Sequence, residues 1–355
     1  MNARLVLQDG TEFLGTSFGA PISTSGEVVF NTGMVGYPES LTDPSYFGQI
    51  LCLTYPLVGN YGVPERILEE GVIRNFESHK IQVRALIVND YSENYSHYTA
   101  KKSLGEWLKE EKIPAITGID TRALTKHLRE KGAQLGKIII DGDPDLYDPN
   151  KENIVANVSI HKPVVYGSGK KKVVLIDCGV KNNIIFSLLK RDVTVLRVPW
   201  DYDFFSKVFL HDFDGVLISN GPGDPKMCTA TIRNVQECIK KEIPTFGICL
   251  GNQILSLAAG ADTYKLKYGH RGQNQPAYIV GEKKCFITSQ NHGFAVQEST
   301  LSSGWVPWMR NANDNTNEGI RHKSKPFFSV QFHPEANPGP VDTAFLFDEF
   351  VGSLK

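Results

Sequence analysis

The sequence predicts a two-domain α/β protein in which a smaller, mixed β/α domain precedes a domain built on a mostly parallel sheet. Three observations support this prediction. The chain has 355 residues, which is longer than a single core usually grows. In its first part, short β-like runs alternate with turns rich in Gly, Pro, Asp and Asn, and two helical patterns follow. In its second part, apolar strands, glycine-rich turns and helices alternate, as is typical of parallel α/β sheets.

The first domain is predicted over residues 1–150 and contains four candidate strands and two candidate helices. The helix over 121–131 has the clearest ends, because Asp120 can cap its amino terminus and Gly132 can terminate it. The other helix is predicted over 102–112. The strands are predicted over 4–7, 27–30, 50–54 and 83–88.

The second domain is predicted over residues 171–355, after a polar, broken segment over 151–170 that has the composition of a linker. Strands are predicted over 173–176 and 215–218, and a helix over 182–190. The sites of parallel α/β sheets form at the carboxyl ends of their strands. The turns at 178–179 and 220–224 follow two such ends, so we expect a functional site there.

The composition excludes several classes of protein. With 41% hydrophobic residues, 22% charged residues and a net charge of −1, the chain is neither disordered nor basic enough to favour nucleic acid. It shows neither a signal-peptide core nor an apolar run long enough to cross a bilayer, so we expect a cytoplasmic protein that does not bind membranes. Its six cysteines lack C-x-x-C pairing and are expected to be free thiols.

The segment 247–251, Gly-Ile-Cys-Leu-Gly, is the strongest local motif. It lies between an apolar strand over 243–246 and a helix-forming run, and it has the nucleophile-elbow pattern with cysteine at the centre. Such a turn puts the Cys249 sulfur at a helix amino terminus, where the dipole favours thiolate, and aims the Leu250 N–H at an oxyanion. A buried cysteine at a tight strand–helix junction fits the local pattern equally well.

A second motif is the apolar run that begins at Phe327 and ends in His333, Pro334 and Glu335. In extended backbone, residues two apart point to the same side, so Glu335 can orient the ring of His333 while the other ring nitrogen faces a thiol. Taken alone, the motif fits a strand-end turn with a solvated carboxylate better. Beside a cysteine elbow, a Cys-His-Glu relay becomes the better interpretation.

The third motif, over 219–225, is rich in glycine and proline and follows a buried strand. Backbone N–H groups in such a loop can approach a substrate closely, and Gly221 could supply a second oxyanion donor. An ordinary surface turn and a phosphate-binding loop remain open on local grounds. The Gly-Lys-Ser/Thr sequence of a P-loop is absent, which disfavours the phosphate loop.

In this order and spacing, the three motifs resemble the triad-type (class I) glutamine amidotransferases, and more closely the small-chain family of carbamoyl phosphate synthetase. The segments that carry the likeness in the first half are 26–37, 41–46, 53–56, 59–62, 119–122 and 128–132. Those of the second half are 219–225, 246–253, 268–271, 290–296 and 331–335. The likeness therefore covers nearly the whole chain and implies a class I glutaminase fold for the second domain.

The resemblance implies that Cys249 is the nucleophile, His333 the general acid and base, and Glu335 the residue that orients it. A larger set would bind glutamine: Ser45, Gly221, Gly223, Leu250, Gln253, Asn291, Gly293 and Phe294. Lys181 matches a position near that site, and no role is assigned to it. The family usually has histidine where this chain has Asn252, so no second imidazole is available at this position to tune the elbow.

The resemblance further implies a glutaminase that passes ammonia to a large synthetase subunit, with which it forms a heterodimer that makes carbamoyl phosphate for arginine and pyrimidine biosynthesis. No metal or organic cofactor is expected in this chain, whereas ATP, bicarbonate and Mg are expected on the partner. Two other functions are alternatives. One is an idle regulatory or scaffold subunit, which has no need of an intact triad. The other is a stand-alone thiol hydrolase of γ-glutamyl compounds, which leaves the first domain unexplained.

Overall fold

The computed structural model describes residues 1–206 and 212–354. The chain divides into two compact units. The first comprises residues 1–68 and 73–151, and the second comprises residues 69–72 and 152–355.

The strands and helices of the first unit are short. The strands are β1 (Asn2–Leu7), β2 (Glu12–Ser17), β3 (Thr24–Asn31), β4 (Gln49–Leu53), β5 (Leu57–Val58), β6 (Val63–Pro64), β7 (Leu68–Glu69), β8 (Val72–Ile73), β9 (Ala85–Ile87), β10 (Asp90–Tyr91), β11 (Ala100–Lys102), β12 (Ala115–Thr117) and β13 (Gln134–Ile139). The helices are α1 (Tyr37–Thr42), α2 (Leu104–Glu110) and α3 (Thr121–Lys131). Strands β7 and β8 pair only with each other.

Seven of these strands close into a barrel in the order β1-β13-β3-β4-β9-β12-β2. The run β3-β4-β9-β12 is parallel and the other pairs are antiparallel. Closure leaves no strand edge of the barrel unpaired, and every residue of β3 is buried. Helix α3 has the bounds that the sequence predicts, because the Asp120 side chain accepts a hydrogen bond from the Ala123 N–H and Gly132 follows its last residue.

The second unit is built on a single large sheet. Its strands are β14 (Val164–Tyr166), β15 (Lys171–Asp177), β16 (Val193–Pro199), β17 (Gly215–Ile218), β18 (Thr245–Ile248), β19 (Asp262–Ile279), β20 (Cys285–Gln297), β21 (Trp305–Asn311), β22 (Asn317–His322) and β23 (Phe327–Val330). Its helices are α4 (Asn182–Leu189), α5 (Thr229–Lys240), α6 (Leu250–Ala258) and α7 (Phe345–Ser353).

The centre of this sheet is parallel, in the order β16-β15-β17-β18-β23, and both of its faces are buried. Val173 and Leu175 pack in one apolar cluster, whereas Val174 and Ile176 pack in another on the opposite face. Alternate residues of a strand point to opposite faces, so β15 serves two cores. The predicted fold class, an α/β glutaminase-type domain after a smaller mixed domain, is confirmed.

An antiparallel part, not foreseen from the sequence, extends this sheet through β22, β21, β19 and β20. The burial of β19 does not alternate regularly, so its sequence lacks the two-residue period that marks a half-buried strand. Across residues 1–206 and 212–354, no helix combines the length and apolar character needed to span a membrane.

Candidate active site

Cys249 lies between the end of β18 and the start of α6, in a strained backbone conformation with φ 56° and ψ −103°. Two glycines make this turn possible. A Cβ on Gly247 would overlap the carbonyl oxygen of Gly251, and a Cβ on Gly251 would overlap that of Ile218. The structure therefore has the elbow geometry that the sequence predicts, although β18 ends at Ile248 rather than at Phe246. Strain of this kind persists only where the surrounding packing enforces it.

His333 and Glu335 are both buried, and Nδ1 of His333 lies 2.6 Å from Oε1 of Glu335. The sequence predicted this contact within an extended strand, and that geometry is wrong because β23 ends at Val330. His333 instead forms an isolated bridge with Ser289, and a turn in which the Ala336 N–H bonds to the His333 carbonyl brings Glu335 back to the ring. Nε2 of His333 is left with no hydrogen-bond partner among the described residues.

Lys181 completes this group, and the sequence assigned it no role. Its Nζ lies 3.1 Å from Oε1 of Glu335 and donates a hydrogen bond to the carbonyl of Ala336. The side chain is only 3% exposed. An ammonium in this position compensates the buried Glu335 carboxylate, which would otherwise be costly to ionise.

The charges around His333 shift its pKa and that of Glu335 in opposite directions. Burial alone would raise the pKa of Glu335, but the charges of Lys181 and His333 outweigh burial and lower it. Burial alone would lower the pKa of His333, but the charges of Glu335 and Cys249 raise it. The ring of His333 therefore keeps its proton to a higher pH than a free imidazole does.

The thiol of Cys249 is close to β20, because its Sγ lies 3.7 Å from the carbonyl oxygen of Asn291. Two further predicted binding residues, Gly293 and Phe294, follow on the same strand. Gln253, on the first turns of α6, donates a hydrogen bond from Nε2 to the carbonyl of Phe294 at 2.9 Å. The structure thus brings Cys249, Gln253 and the 291–294 segment together.

The glycine-rich loop over 219–223 is fastened to the turn over 178–181. Ser219 Oγ accepts a hydrogen bond from the Cys178 N–H at 3.0 Å, and Asn220 Oδ1 accepts one from the Lys181 N–H at 3.0 Å. A Cβ on Gly221 would overlap the Cys178 carbonyl and come within 2.9 Å of the Leu250 side chain. Gly221 and Leu250, the two predicted oxyanion donors, are therefore neighbours, and Gly223 has the left-handed φ of 85°.

Ser45, predicted to bind glutamine, belongs to the first unit. It lies in a 3-10 turn over Pro44–Tyr46, and its N–H donates a hydrogen bond to Asp43 Oδ1 at 2.9 Å. Ser45 is buried.

A buried polar cluster that the sequence did not reveal lies on the antiparallel part of the sheet. Ligand-type atoms of His270, His292 and Glu318 lie within 4.8 Å of one another. The protein itself supplies partners to the rings, since His270 contacts Asp314 and Gln290, and Nδ1 of His292 contacts the Phe294 carbonyl. This pattern is that of a hydrogen-bonded network.

Comparison with known proteins identifies two family matches. Residues 174–353 match the model of glutamine amidotransferase class-I, and residues 5–138 match that of the carbamoyl-phosphate synthase small chain, CPSase domain. The two matches together span most of both structural units.

Three curated relatives are similar over almost the entire chain. "Multifunctional protein CAD" of Squalus acanthias is 56% identical over 98% of the chain, and "Carbamoyl-phosphate synthase [ammonia], mitochondrial" of Homo sapiens is 52% identical over 99%. "Multifunctional protein URA2" of Saccharomyces cerevisiae is 49% identical over 99%. The chain spans only 16%, 24% and 17% of the length of these three relatives, respectively.

Proposed function

We propose, from the premise that the chain belongs to the class I glutamine amidotransferase family and carries a carbamoyl-phosphate synthase small chain domain, that it is the glutaminase of a carbamoyl phosphate synthetase. It would hydrolyse glutamine to glutamate and ammonia, and the ammonia would serve carbamoyl phosphate synthesis. That product would feed arginine or pyrimidine biosynthesis.

The observation that carries this proposal is the strained Cys249 elbow beside the buried His333–Glu335–Lys181 group. Family membership alone is a weaker argument, because the human relative is named for ammonia rather than for glutamine. A chain that only bound a partner would have no use for a thiol held in a strained turn beside a charged relay. The same observation disfavours an idle regulatory or scaffold subunit.

The proposed reaction begins with attack of the Cys249 thiolate on the carbon of the glutamine side-chain amide. His333 protonates the leaving nitrogen, so ammonia departs and a γ-glutamyl thioester remains. Water, deprotonated by His333, then attacks the thioester and releases glutamate and the thiolate. Both tetrahedral oxyanions would be held by the N–H groups of Leu250 and Gly221.

The proposed partner is a large synthetase subunit or region. Ammonia released into water near neutral pH is mostly protonated and loses its nucleophilic lone pair, so delivery inside a complex would preserve its reactivity. This chemistry requires no metal or organic cofactor in the present chain. ATP, bicarbonate and Mg would bind to the partner, and a heterodimer is the assembly we propose. A stand-alone γ-glutamyl hydrolase is less favoured because it gives the small chain domain no role.

The test replaces Cys249 with serine, because a hydroxyl in the same elbow is a far weaker nucleophile than a thiolate. We expect the Cys249→Ser complex to lose glutamine hydrolysis while it retains synthesis from added ammonium salt. The matched control is Cys285→Ser, which changes the one exposed cysteine among the described residues and should leave both activities intact. Substantial glutaminase activity in Cys249→Ser would remove Cys249 from the role of nucleophile.

A further inference from the structure

Asn252, Gln331 and Gln253 form a chain of side-chain amides behind the nucleophile elbow. Oε1 of Gln331 accepts two hydrogen bonds, from Asn252 Nδ2 at 3.0 Å and from Gln253 Nε2 at 3.1 Å. At the far end, Asn252 Oδ1 accepts a hydrogen bond from Ser329 Oγ at 2.8 Å. All four side chains are buried.

A backbone carbonyl sets the direction of every amide in this chain. The oxygen of Phe294 can only accept, so Gln253 must turn Nε2 toward it. The second hydrogen of the same nitrogen then points at Gln331, which must present its oxygen. Gln331 in turn requires a donor from Asn252, and Asn252 is left to accept from Ser329. Reversing any one amide would set two acceptors or two donors against each other.

This arrangement decides which atom of Gln253 can bind a ligand. Both hydrogens of its Nε2 are engaged, so Oε1 is the atom that remains for a ligand, and no described residue donates to it. Gln253 can therefore accept a hydrogen bond from a ligand but cannot donate one. A carboxylate has no proton to give, whereas an ammonium group has three.

We infer that Asn252 and Gln331 are positioning residues that fix the Gln253 amide as an acceptor for the α-ammonium group of the substrate. This inference rests on the proposed function and deepens it, because it names the two residues that hold the glutamine-binding amide of Gln253 in one orientation. Neither Asn252 nor Gln331 needs to touch the substrate. They select for an α-amino acid by holding Gln253 in one of its two amide orientations.

The experiment removes the donor at position 252 without changing the size of the side chain. Asn252→Asp replaces Nδ2 with an oxygen, so Gln331 loses the hydrogen bond that holds its oxygen toward Gln253. Asn252→His restores a ring N–H donor at the same position. Ser256→Ala is the matched control, because Ser256 is equally buried on α6 and bonds to the Asn252 backbone carbonyl rather than to the amide chain.

Steady-state glutaminase rates of the full chain give KM and kcat, and calorimetry in a Cys249→Ser background gives the Kd of glutamine. We expect Asn252→Asp to raise KM and Kd by roughly tenfold or more, as for a lost hydrogen bond to a charged group, with a much smaller change in kcat. Its preference for glutamine over glutaramate, which lacks the α-amino group, should shrink by a similar factor. Asn252→His should regain most of the affinity, and Ser256→Ala should retain it.

Unchanged glutamine affinity in a folded Asn252→Asp chain overturns the inference, and so does an equal loss in Ser256→Ala. If Asn252→Asp does not fold, Gln331→Met takes its place, because it removes the acceptor while keeping the chain length, and the same loss of affinity is expected. Glutamine binding without hydrolysis by the unaltered chain would refute the proposed function alone. Absence of any glutamine binding would overturn both.

Discussion

The ammonium of Lys181 and the carboxylate of Glu335 form a buried ion pair, with Nζ 3.1 Å from Oε1, at the back of the His333 ring. The same carboxylate oxygen contacts Nδ1 of His333. Lys181 therefore acts on the ring through Glu335, and its removal would leave a buried negative charge with one partner fewer.

We expect Lys181→Met to lower kcat/KM for glutamine and to move the acid limb of its pH profile to higher pH. Lys181 helps to hold the pKa of Glu335 below its ordinary value, so without it the carboxylate takes up a proton at a higher pH. The pH dependence of glutaminase activity measures the shift. Lys172→Met is the control, since Lys172 pairs with exposed Asp212. An unchanged acid limb would show that Lys181 does not tune the relay.

Some parts of this site could be predicted from the sequence because local sequence determines them. The elbow depends on Gly247 and Gly251, which flank Cys249 directly, and the His333–Glu335 pair is two residues apart. The Lys181 and Gln331 contacts join residues far apart in the chain, and only the packed sheet reveals them. The antiparallel part of the sheet could not be predicted for a different reason, because buried and exposed residues follow no regular period along β19.

We expect His333→Asn to reduce glutamine hydrolysis by about 10² to 10⁴-fold, as for loss of a general acid and base. Glu335→Gln should reduce the rate of hydrolysis less, because the amide can still contact the His333 ring. Some loss remains, since the amide cannot stabilise the positive charge of the ring. Steady-state assays of both variants, with thermal unfolding as a check of folding, compare the two roles. A larger loss in folded Glu335→Gln than in His333→Asn would mean that the roles have been assigned in the wrong order.

We expect the isolated chain to hydrolyse glutamine slowly and the synthetase partner to raise its rate. Hydrogen bonds fasten the loop over 219–223 to the turn that carries Lys181, so displacement of one moves both an oxyanion donor and the ion pair. Loss of one oxyanion donor typically costs about 10² to 10³ in rate, which is enough for a switch.

The measurement titrates the partner, with ATP and bicarbonate, into the purified chain and follows glutamate release. The control chain carries Cys249→Ser, which reports any glutaminase activity that comes from the partner preparation. A rate that is already maximal in the isolated chain would show a preformed oxyanion hole, and the two activities would then be linked only by the route of ammonia.

We expect a loss of conformational stability at alkaline pH that depends on His270. Burial alone would lower the pKa of His270, but hydrogen bonds to Asp314 and Glu318 outweigh it and raise the pKa to about 9. A raised pKa stabilises the fold fully below the unfolded value of 6.5, and this contribution is lost as the pH rises through 9.

Thermal unfolding midpoints measured across that range should fall less in Asp314→Asn than in the unaltered chain. Asp143→Asn, which changes an exposed ion pair with Lys137, should behave as the unaltered chain. Parallel pH profiles in all three would contradict this assignment.

At the elbow, the residues that shape the backbone are not the residue that carries the thiol. Gly247 and Gly251 shape the turn through their neighbours' carbonyls, and the sulfur of Cys249 takes no part in those contacts. We therefore expect a mutation that exchanges the sulfur for another small group to remove the proposed nucleophile while the chain still folds. Such a loss would leave stability and partner binding intact. A side chain at either glycine, in contrast, would overlap backbone atoms and disturb the fold. The thiol is thus the part of this elbow that a mutation can remove at the least cost to folding.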